Sequence, residues 1–343
     1  MRVVMLCRLY SPHLGGVEKH VLNLSKEILK GGNQVDVFTL PHERKLPSFE
    51  VMEGILVHRK PRQLHSRVLK IFFGILPFFP KKLAQNIVER DEIWGWLLWN
   101  LPTFLFADVI HIHDVFFWYW PIRILLPWKK VFITFHGFEA GSLPTQKAKK
   151  TRRMAAHWTN GNIAVGGWIK KWYGTDADLV TYGAGSCIPE KSTALHTKMK
   201  AVFIGRVASD TGAKVYAKII DSVSNYTLDI YGEGSELGTV ENSCALFPQY
   251  DLACVSSYLS ILEAMQSKVF VLAYATDDLK WDYLQSHPMA HNMCIVRSEA
   301  EMKSFLDGFT PEKYHREIER AFDWAKEQTW RALYLQYENL WQK

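Results

Sequence analysis

No stretch of this 343-residue chain reaches the eighteen or so consecutive apolar residues that a membrane-crossing helix needs, so a soluble or peripheral protein is expected. The opening, MRVVMLCRLYSPHLGG, breaks its short apolar run at Pro12 and the glycines. It lacks the long apolar core and cleavage site of an export signal. Cysteine is scarce: Cys7, Cys187, Cys244, Cys254 and Cys294 are scattered and form no C-x-x-C pair. That excludes a zinc site of the usual spacing and reads as buried thiols of a reducing compartment, with no disulfide framework. Charge of one sign is in small excess, with 41 Lys and Arg against 35 Asp and Glu, a net of +6. Such a balance suits a diphosphate-bearing ligand or an anionic membrane surface, and nucleic acid is not expected as a partner. Low-complexity tracts are absent, and no repeat is found beyond a shared strand-loop-helix opening.

What is present is ordinary globular material, 48% hydrophobic and 22% charged, in a chain long enough for two domains. Val3 to Cys7 is a short apolar run, followed by a turn ending in Gly15-Gly16. Val17, Val21, Leu24 and Ile28 then recur at helical spacing, Gly31-Gly32 supplies a stop, and Val35 to Leu40 reads as a second strand. This is the start of a parallel sheet with crossover helices. Val109 to Ile112, Val131 to Phe135 and Asn162 to Val165 are further strand candidates. The grammar restarts near Lys200 with strands at Ala201 to Ile204, Leu228 to Tyr231, Leu252 to Val255 and Val269 to Ala273. Helices are expected at Val215 to Val223 and around Leu262 to Gln266. Two doubly wound units joined near 183–199 are inferred, with one long helical pattern from Pro311 to Lys343. Residues 64–106 mix Trp, Phe, Leu and Pro with lysines. They read either as helices packed on the sheet or as an amphipathic surface in a membrane interface.

In a doubly wound sheet, ligands sit at the carboxyl ends of strands, where helix N-termini offer free N–H groups to phosphate. Gly15 and Gly16 fall at such a point; a plain tight turn is the alternative. Arg206 follows a strand and Gly205, and is either a fixed cation for a diphosphate or half of a surface ion pair. The segment Ser256 to Met265 turns from strand into helix, so the amides of Ser260 and Ile261 are candidate phosphate donors. Glu263, about one turn in, is a candidate acceptor for ribose hydroxyls, against a solvated helix face as the plainer reading.

The stretches SPHLGGVEKHVLNLSKEILKGGNQVDVFT, DVIHIHD, TFHGFE, FIGRVASDTG and YLSILEAM resemble, in order and spacing, the retaining family 4 glycosyltransferases of the GT-B fold. The resemblance implies two Rossmann-like domains facing across a cleft: residues 1–183 binding the acceptor, residues 184–324 binding the nucleotide sugar, and a C-terminal helix at about 325–343 crossing back. It implies that Gly15 and Gly16 lie against the donor phosphates, that Arg206 neutralises the diphosphate and that Glu263 binds the ribose. His136, in Thr134-Phe135-His136-Gly137, matches the family's cleft histidine near the reacting sugar; a loop histidine with a structural hydrogen bond is the alternative. Also implied are a UDP-, GDP- or ADP-sugar donor, a polysaccharide or lipid-linked acceptor and hexosyl transfer with retention by front-face attack. No metal or other cofactor is expected, and the place of work is the cytoplasm or the cytoplasmic membrane face.

The chain also departs from the family. The basic residue usual five positions after the arginine is Thr211. The acidic residue usual eight positions before Glu263 falls on Val255. The stretch from Gly234 to Cys254 is short, and Lys268 and Phe270 stand where glycine and proline are usual. These departures keep open a non-catalytic relative that binds sugar nucleotide or a partner. A metallohydrolase built on His111 and His113, which alternate along one strand face, is a further alternative. Asp176 and Asp178 read as solvated surface.

Overall fold

A computed structural model describes residues 1–13, 15–43, 45–61, 81–137, 143–187, 198–240 and 242–343, with the backbone alone for 81–88. The chain forms two compact units. One comprises residues 1–136, 154–163 and 338–343; the other comprises 137–153 and 164–337.

Thirteen strands are seen among the described residues. An eight-stranded sheet runs in the order β3-β4-β2-β1-β5-β6-β7-β8. Its strands are β1 Arg2–Leu6, β2 Gln34–Thr39, β3 Phe49–Met52, β4 Ile55–Arg59, β5 Val109–His113, β6 Lys130–Phe135, β7 Gly161–Val165 and β8 Leu179–Thr181. β1 pairs in parallel with β2 and β5, and β5 with β6, while β3 and β4 form an antiparallel hairpin at the edge. The central strands are apolar at nearly every position because both faces are covered: Val3, Val4, Met5, Leu6, Ile110 and Ile112 are fully buried. The helix Gly16–Lys30 presents Val21, Leu24 and Ile28 to this core, as its spacing predicts.

The second sheet lies in the second unit, in the order β10-β9-β11-β12-β13. Its strands are β9 Met199–Ile204, β10 Tyr226–Tyr231, β11 Leu252–Cys254, β12 Phe270–Tyr274 and β13 Cys294–Val296, all parallel. Phe203, Tyr216, Leu252, Leu272, Met302 and Leu306 form the middle of its core.

Two readings are corrected. Cys187 and Cys244 are joined in a disulfide, so not every cysteine is a buried thiol; Cys7, Cys254 and Cys294 are free. The expected single C-terminal helix is two helices, His315–Ala325 and Trp330–Gln342. The break is fixed by partners for the carbonyls exposed where a helix ends. Gln266 Nε2 donates to the carbonyls of Ala325 and Gln328, and the Gly185 amide donates to Gln328 as well. The sequence reading also passed over the β3–β4 hairpin, β8 and β13. Lys268 adopts φ of 56°, a left-handed conformation that accounts for the glycine usual there; its ammonium is held by both Glu319 oxygens at 2.8 and 2.9 Å. Of segment 64–106, residues 64–80 lie outside the described residues, and the rest is largely the helix Lys81–Trp99 with Leu101–Leu105 after it.

Candidate functional site

The first unit gathers imidazoles at the carboxyl ends of β5 and β6. β5 ends in His113 and β6 in Phe135, so His113 and His136 emerge side by side, with His113 Nδ1 2.8 Å from His136 Nε2. Asp114, at φ 59°, turns the chain out of the sheet, and its carboxylate accepts the His136 backbone N–H at 3.1 Å. Asp tolerates this conformation better than most residues. His20, fully buried on the helix Gly16–Lys30, sets its ring edge 4.7 Å from the His136 ring. Thus the helix that begins at Gly16 and the histidine at the end of β6 are brought together by a residue the sequence reading did not single out. Its signal was slight: one histidine on an otherwise apolar helix face.

Gly15 is the N-cap of that helix and Gly16 its first residue. A side chain at Gly15 would collide with the carboxylate of Glu18, which folds back over the turn with Oε1 3.3 Å from His13 Nδ1. An anionic oxygen therefore already lies against the helix N-terminus, in keeping with the partial positive charge there.

The metal reading of His111 and His113 fails on hydrogen bonding. Trp341 Nε1 donates to His111 Nδ1 at 2.9 Å, and an indole N–H can only donate, so the His111 proton is on Nε2. That nitrogen lies 2.7 Å from Thr134 Oγ1. Both ring nitrogens of His111 are engaged, leaving no lone pair for a metal. Burial drives His111 down to about 3 and His20 down to about 4, and it holds His113 well below the usual histidine range. Asp176 is exposed and pairs with Lys170, as a solvated loop residue should.

The second unit collects the other set. Arg206 leaves the end of β9 through Gly205, half exposed, with Nη2 2.9 Å from Asp210. Beside it, Gly232 after β10 has φ of 140°, and a Cβ there would strike the Gly205 carbonyl, so only glycine lets these two strand ends meet. Thr211 serves the turn, its hydroxyl 2.8 Å from both the Arg206 and the Ala208 carbonyl, with one proton to share between them. Val255 is buried apolar material at the end of β11.

The helix Tyr258–Gln266 follows, with Ser257 as N-cap. Here one expectation is corrected: the Ile261 amide donates to the Ser257 carbonyl at 2.9 Å and is engaged within the helix. The Tyr258 amide donates to Tyr283 Oη at 2.8 Å. Position then leaves Leu259 and Ser260 as the first-turn amides without an intrahelical acceptor. Glu263 is buried rather than solvated, and its Oε2 accepts from Ser243 Oγ at 2.5 Å. The disulfide lies beside this contact, since Cys244 follows Ser243 and the Cys187 amide donates to Gln266 Oε1 at 3.1 Å. Lys280, buried and lying over the Tyr283 ring at 4.4 Å, has Asp210 and Asp277 as charged neighbours. Burial lowers it to about 8. It is a second cation near the Arg206 loop that no motif announced.

Residues 14–177 match the model of Glycosyltransferase Family 4. Among curated relatives, the phosphatidylinositol N-acetylglucosaminyltransferase GPI3 subunit of Saccharomyces cerevisiae is 29% identical over 91 residues. That alignment covers 26% of this chain and 20% of the yeast protein, so the chain matches about a fifth of its relative's length. Sucrose-phosphate synthase from Thermosynechococcus elongatus superposes with a TM-score of 0.70 at 14% identity, over 99% of this chain and 98% of that one. Anabaena Alr3699/HepE, solved in complex with UDP and glucose, gives 0.66 at 12% identity over 98% of each chain. These structural likenesses establish the fold, two parallel-sheet α/β units of the GT-B kind. Residues 14–177 are thus similar to Glycosyltransferase Family 4, and the chain has the fold of GT-B glycosyltransferases.

Proposed function

We propose that this protein transfers a hexosyl group, with retention of configuration and without a metal, from a nucleoside-diphosphate sugar to a hydroxyl of a glycan or lipid-linked acceptor. The observation that carries the reading is the family match over residues 14–177, which takes in Gly15, Gly16 and His136 together. Arg206 and the Ser260 amide, placed after β9 and β11, supply a cation and an N–H donor for the departing diphosphate. The Ile261 amide is engaged within its helix, and Glu263, already accepting from Ser243 through Oε2, is the acceptor for the ribose hydroxyls. In the reaction the bond from anomeric carbon to diphosphate oxygen breaks and the bond to the acceptor oxygen forms on the same face. The acceptor proton passes to the departing phosphate oxygen. His136 holds the sugar while this happens.

A lipid-linked acceptor at a membrane surface is supported by the exposed Trp99, Leu105 and Phe106 in the described part of 64–106. Among the described residues no helix is long and apolar enough to cross a membrane. The yeast relative's name, a phosphatidylinositol N-acetylglucosaminyltransferase subunit, points the same way.

The test is release of nucleotide from UDP-, GDP- and ADP-sugars, with and without membrane lipid extract and chelator. Chelator-insensitive release from one donor, lost in Arg206→Ala and in His136→Ala, is expected. Absence of release from every donor, with a nucleotide still raising the melting temperature, would replace this reading with a binding-only relative.

A further inference from the structure

The contact between His113 and His136 holds more information than its distance. Two imidazole nitrogens 2.8 Å apart share one proton, and the tautomer of each ring decides which nitrogen owns it. His113 is 1% exposed, and its other nitrogen, Nε2, is buried with no hydrogen-bond partner among the described residues. A neutral His113 has one N–H to place. On Nε2 that N–H would be buried and orphaned, while Nδ1 would have to accept from His136. On Nδ1 it meets His136 Nε2, and only a lone pair is left unanswered. Orphaned buried N–H groups are the rarer and costlier case. The proton of His113 therefore belongs on Nδ1, and His136 Nε2 is the acceptor.

We propose that His113 is a positioning residue for His136: by donating from Nδ1 to His136 Nε2 it holds His136 as its neutral tautomer, with the His136 proton on Nδ1. This rests on the reading of His136 as the histidine beside the reacting sugar.

A coupling follows from the same geometry. For His136 to become charged it needs a proton on Nε2. His113 must then accept at Nδ1 and move its own proton to the orphaned Nε2, so charging His136 strands a buried donor on its neighbour. The other groups facing the pair are His20, 4.7 Å from the His136 ring and 5.9 Å from the His113 ring, and His111, 4.9 Å from the His113 ring. Among the described residues Asp114 is an acidic member of the set, its carboxylate accepting the His136 backbone N–H. Burial keeps His20, His111 and His113 uncharged near neutral pH, so none of them repels a charge on His136 by its own charge. The Asp114 carboxylate favours a charged His136, and the hydrogen bond from His113 opposes it. With Nε2 occupied by the His113 proton and Nδ1 carrying its own, the ring is kept neutral without a free base nitrogen, so its role is orientation rather than proton removal.

The experiment is a pair of readouts on the full chain. In 15N spectra of histidine-labelled protein, wild-type His136 is expected as the neutral Nδ1–H tautomer, and His113→Ala is expected to lose that preference. In kinetics, His113→Ala should lower kcat by about tenfold or more, with a much smaller change in donor KM. It should also shift the acid limb of the kcat/KM profile to higher pH. In His113→Asn the side-chain amide takes the place of Nδ1–H, so this variant should restore most of kcat and the wild-type acid limb. A purely structural histidine would not be rescued in that way. A wild-type Nε2–H tautomer at His136 overturns the proposal, as does a His113→Ala enzyme with unchanged kcat and pH profile. Should His136→Ala turn over at the wild-type rate, the role given to His136 fails, while the 15N spectra still decide the relation between the two rings. If His113→Ala does not fold, the wild-type tautomer and the Asn variant carry the decision.

Discussion

The indole N–H of Trp341 donates to Nδ1 of His111 over 2.9 Å, joining the last turn of the chain to the middle of β5. Both side chains are buried, and His111 passes the connection on through Nε2 to Thr134 on β6. Lys130, at the start of β6, adds a bond from its ammonium to the Trp341 carbonyl at 3.2 Å. Trp341→Phe keeps much of the apolar contact but leaves His111 Nδ1 buried without its donor. A loss of about 1–3 kcal/mol in urea unfolding is expected. Adding His111→Phe should then cost less than it does alone, with a coupling of about 1 kcal/mol. Strict additivity of the two changes would show that the bond contributes nothing.

Buried neutral histidines set the acid limit of stability. Burial lowers His20 and His287 to about 4 and His111 to about 3, from the ordinary histidine value of about 6.5. Above pH 6.5 each ring is neutral in both the folded and the unfolded chain, so no penalty arises. As pH falls below 6.5 the unfolded chain binds protons that the folded chain refuses, and stability drops until the folded values are reached. The slope is about 1.4 kcal/mol per histidine per pH unit. Denaturant midpoints should therefore fall steadily between pH 6.5 and 4. His287 Nδ1 accepts from the Met289 amide at 3.1 Å. His287→Asn keeps an acceptor there and cannot titrate, so it should remove one histidine's share of the slope. An unchanged slope would assign the acid loss to other groups.

The bond between Cys187 and Cys244 closes a span of 57 residues within the second unit. Chain-entropy reasoning gives a loop of that length about 4 kcal/mol of stabilisation. It also ties down the backbone on both sides of Glu263, through Ser243 and Gln266. Thermal unfolding with and without reductant is the measurement. Reductant should lower the melting temperature of the wild type and leave Cys187→Ser/Cys244→Ser unmoved, already at the lower value. A reductant effect that persists in the double variant would place its origin elsewhere.

Much of the fold is legible in the sequence because parallel strands covered on both faces read as unbroken apolar runs. Val3 to Cys7 is of that kind, and Val109 to Ile112 and Val131 to Phe135 are interrupted only by His111 and Thr134, with Gly137 just past the last of them. The β3–β4 hairpin was missed because its exposed edge, with Phe49 and Val51 in the open, carries no such run. The C-terminal break escaped because its cause is Gln266 and Gly185, far away in the chain. The site divides the same way. Glycine pairs and an arginine at strand ends are visible in one dimension. His20, Ser243 and Lys280 are visible only once tertiary packing brings them to His136, Glu263 and the Arg206 loop. The disulfide was illegible because 57 residues separate two cysteines of no motif.

Glu18 offers a direct handle on the proposed phosphate site. Its carboxylate lies over Gly15 at the N-terminus of the helix Gly16–Lys30, where the reading above places donor phosphate oxygens. Two anions cannot share that position without repulsion, so the carboxylate must swing away when nucleotide binds. Glu18→Gln removes the charge and keeps the shape. It should lose about 0.5 kcal/mol of stability, the usual worth of an acid in a first helical turn. It should also bind nucleoside diphosphate more tightly, by roughly two- to fivefold, because the bound phosphate no longer displaces a rival charge. Titration calorimetry with UDP and GDP at low and moderate salt reads both the gain and its screening. Weaker binding in Glu18→Gln would mean that the carboxylate orients the site rather than competing for it, and would move the phosphates away from Gly15 and Gly16.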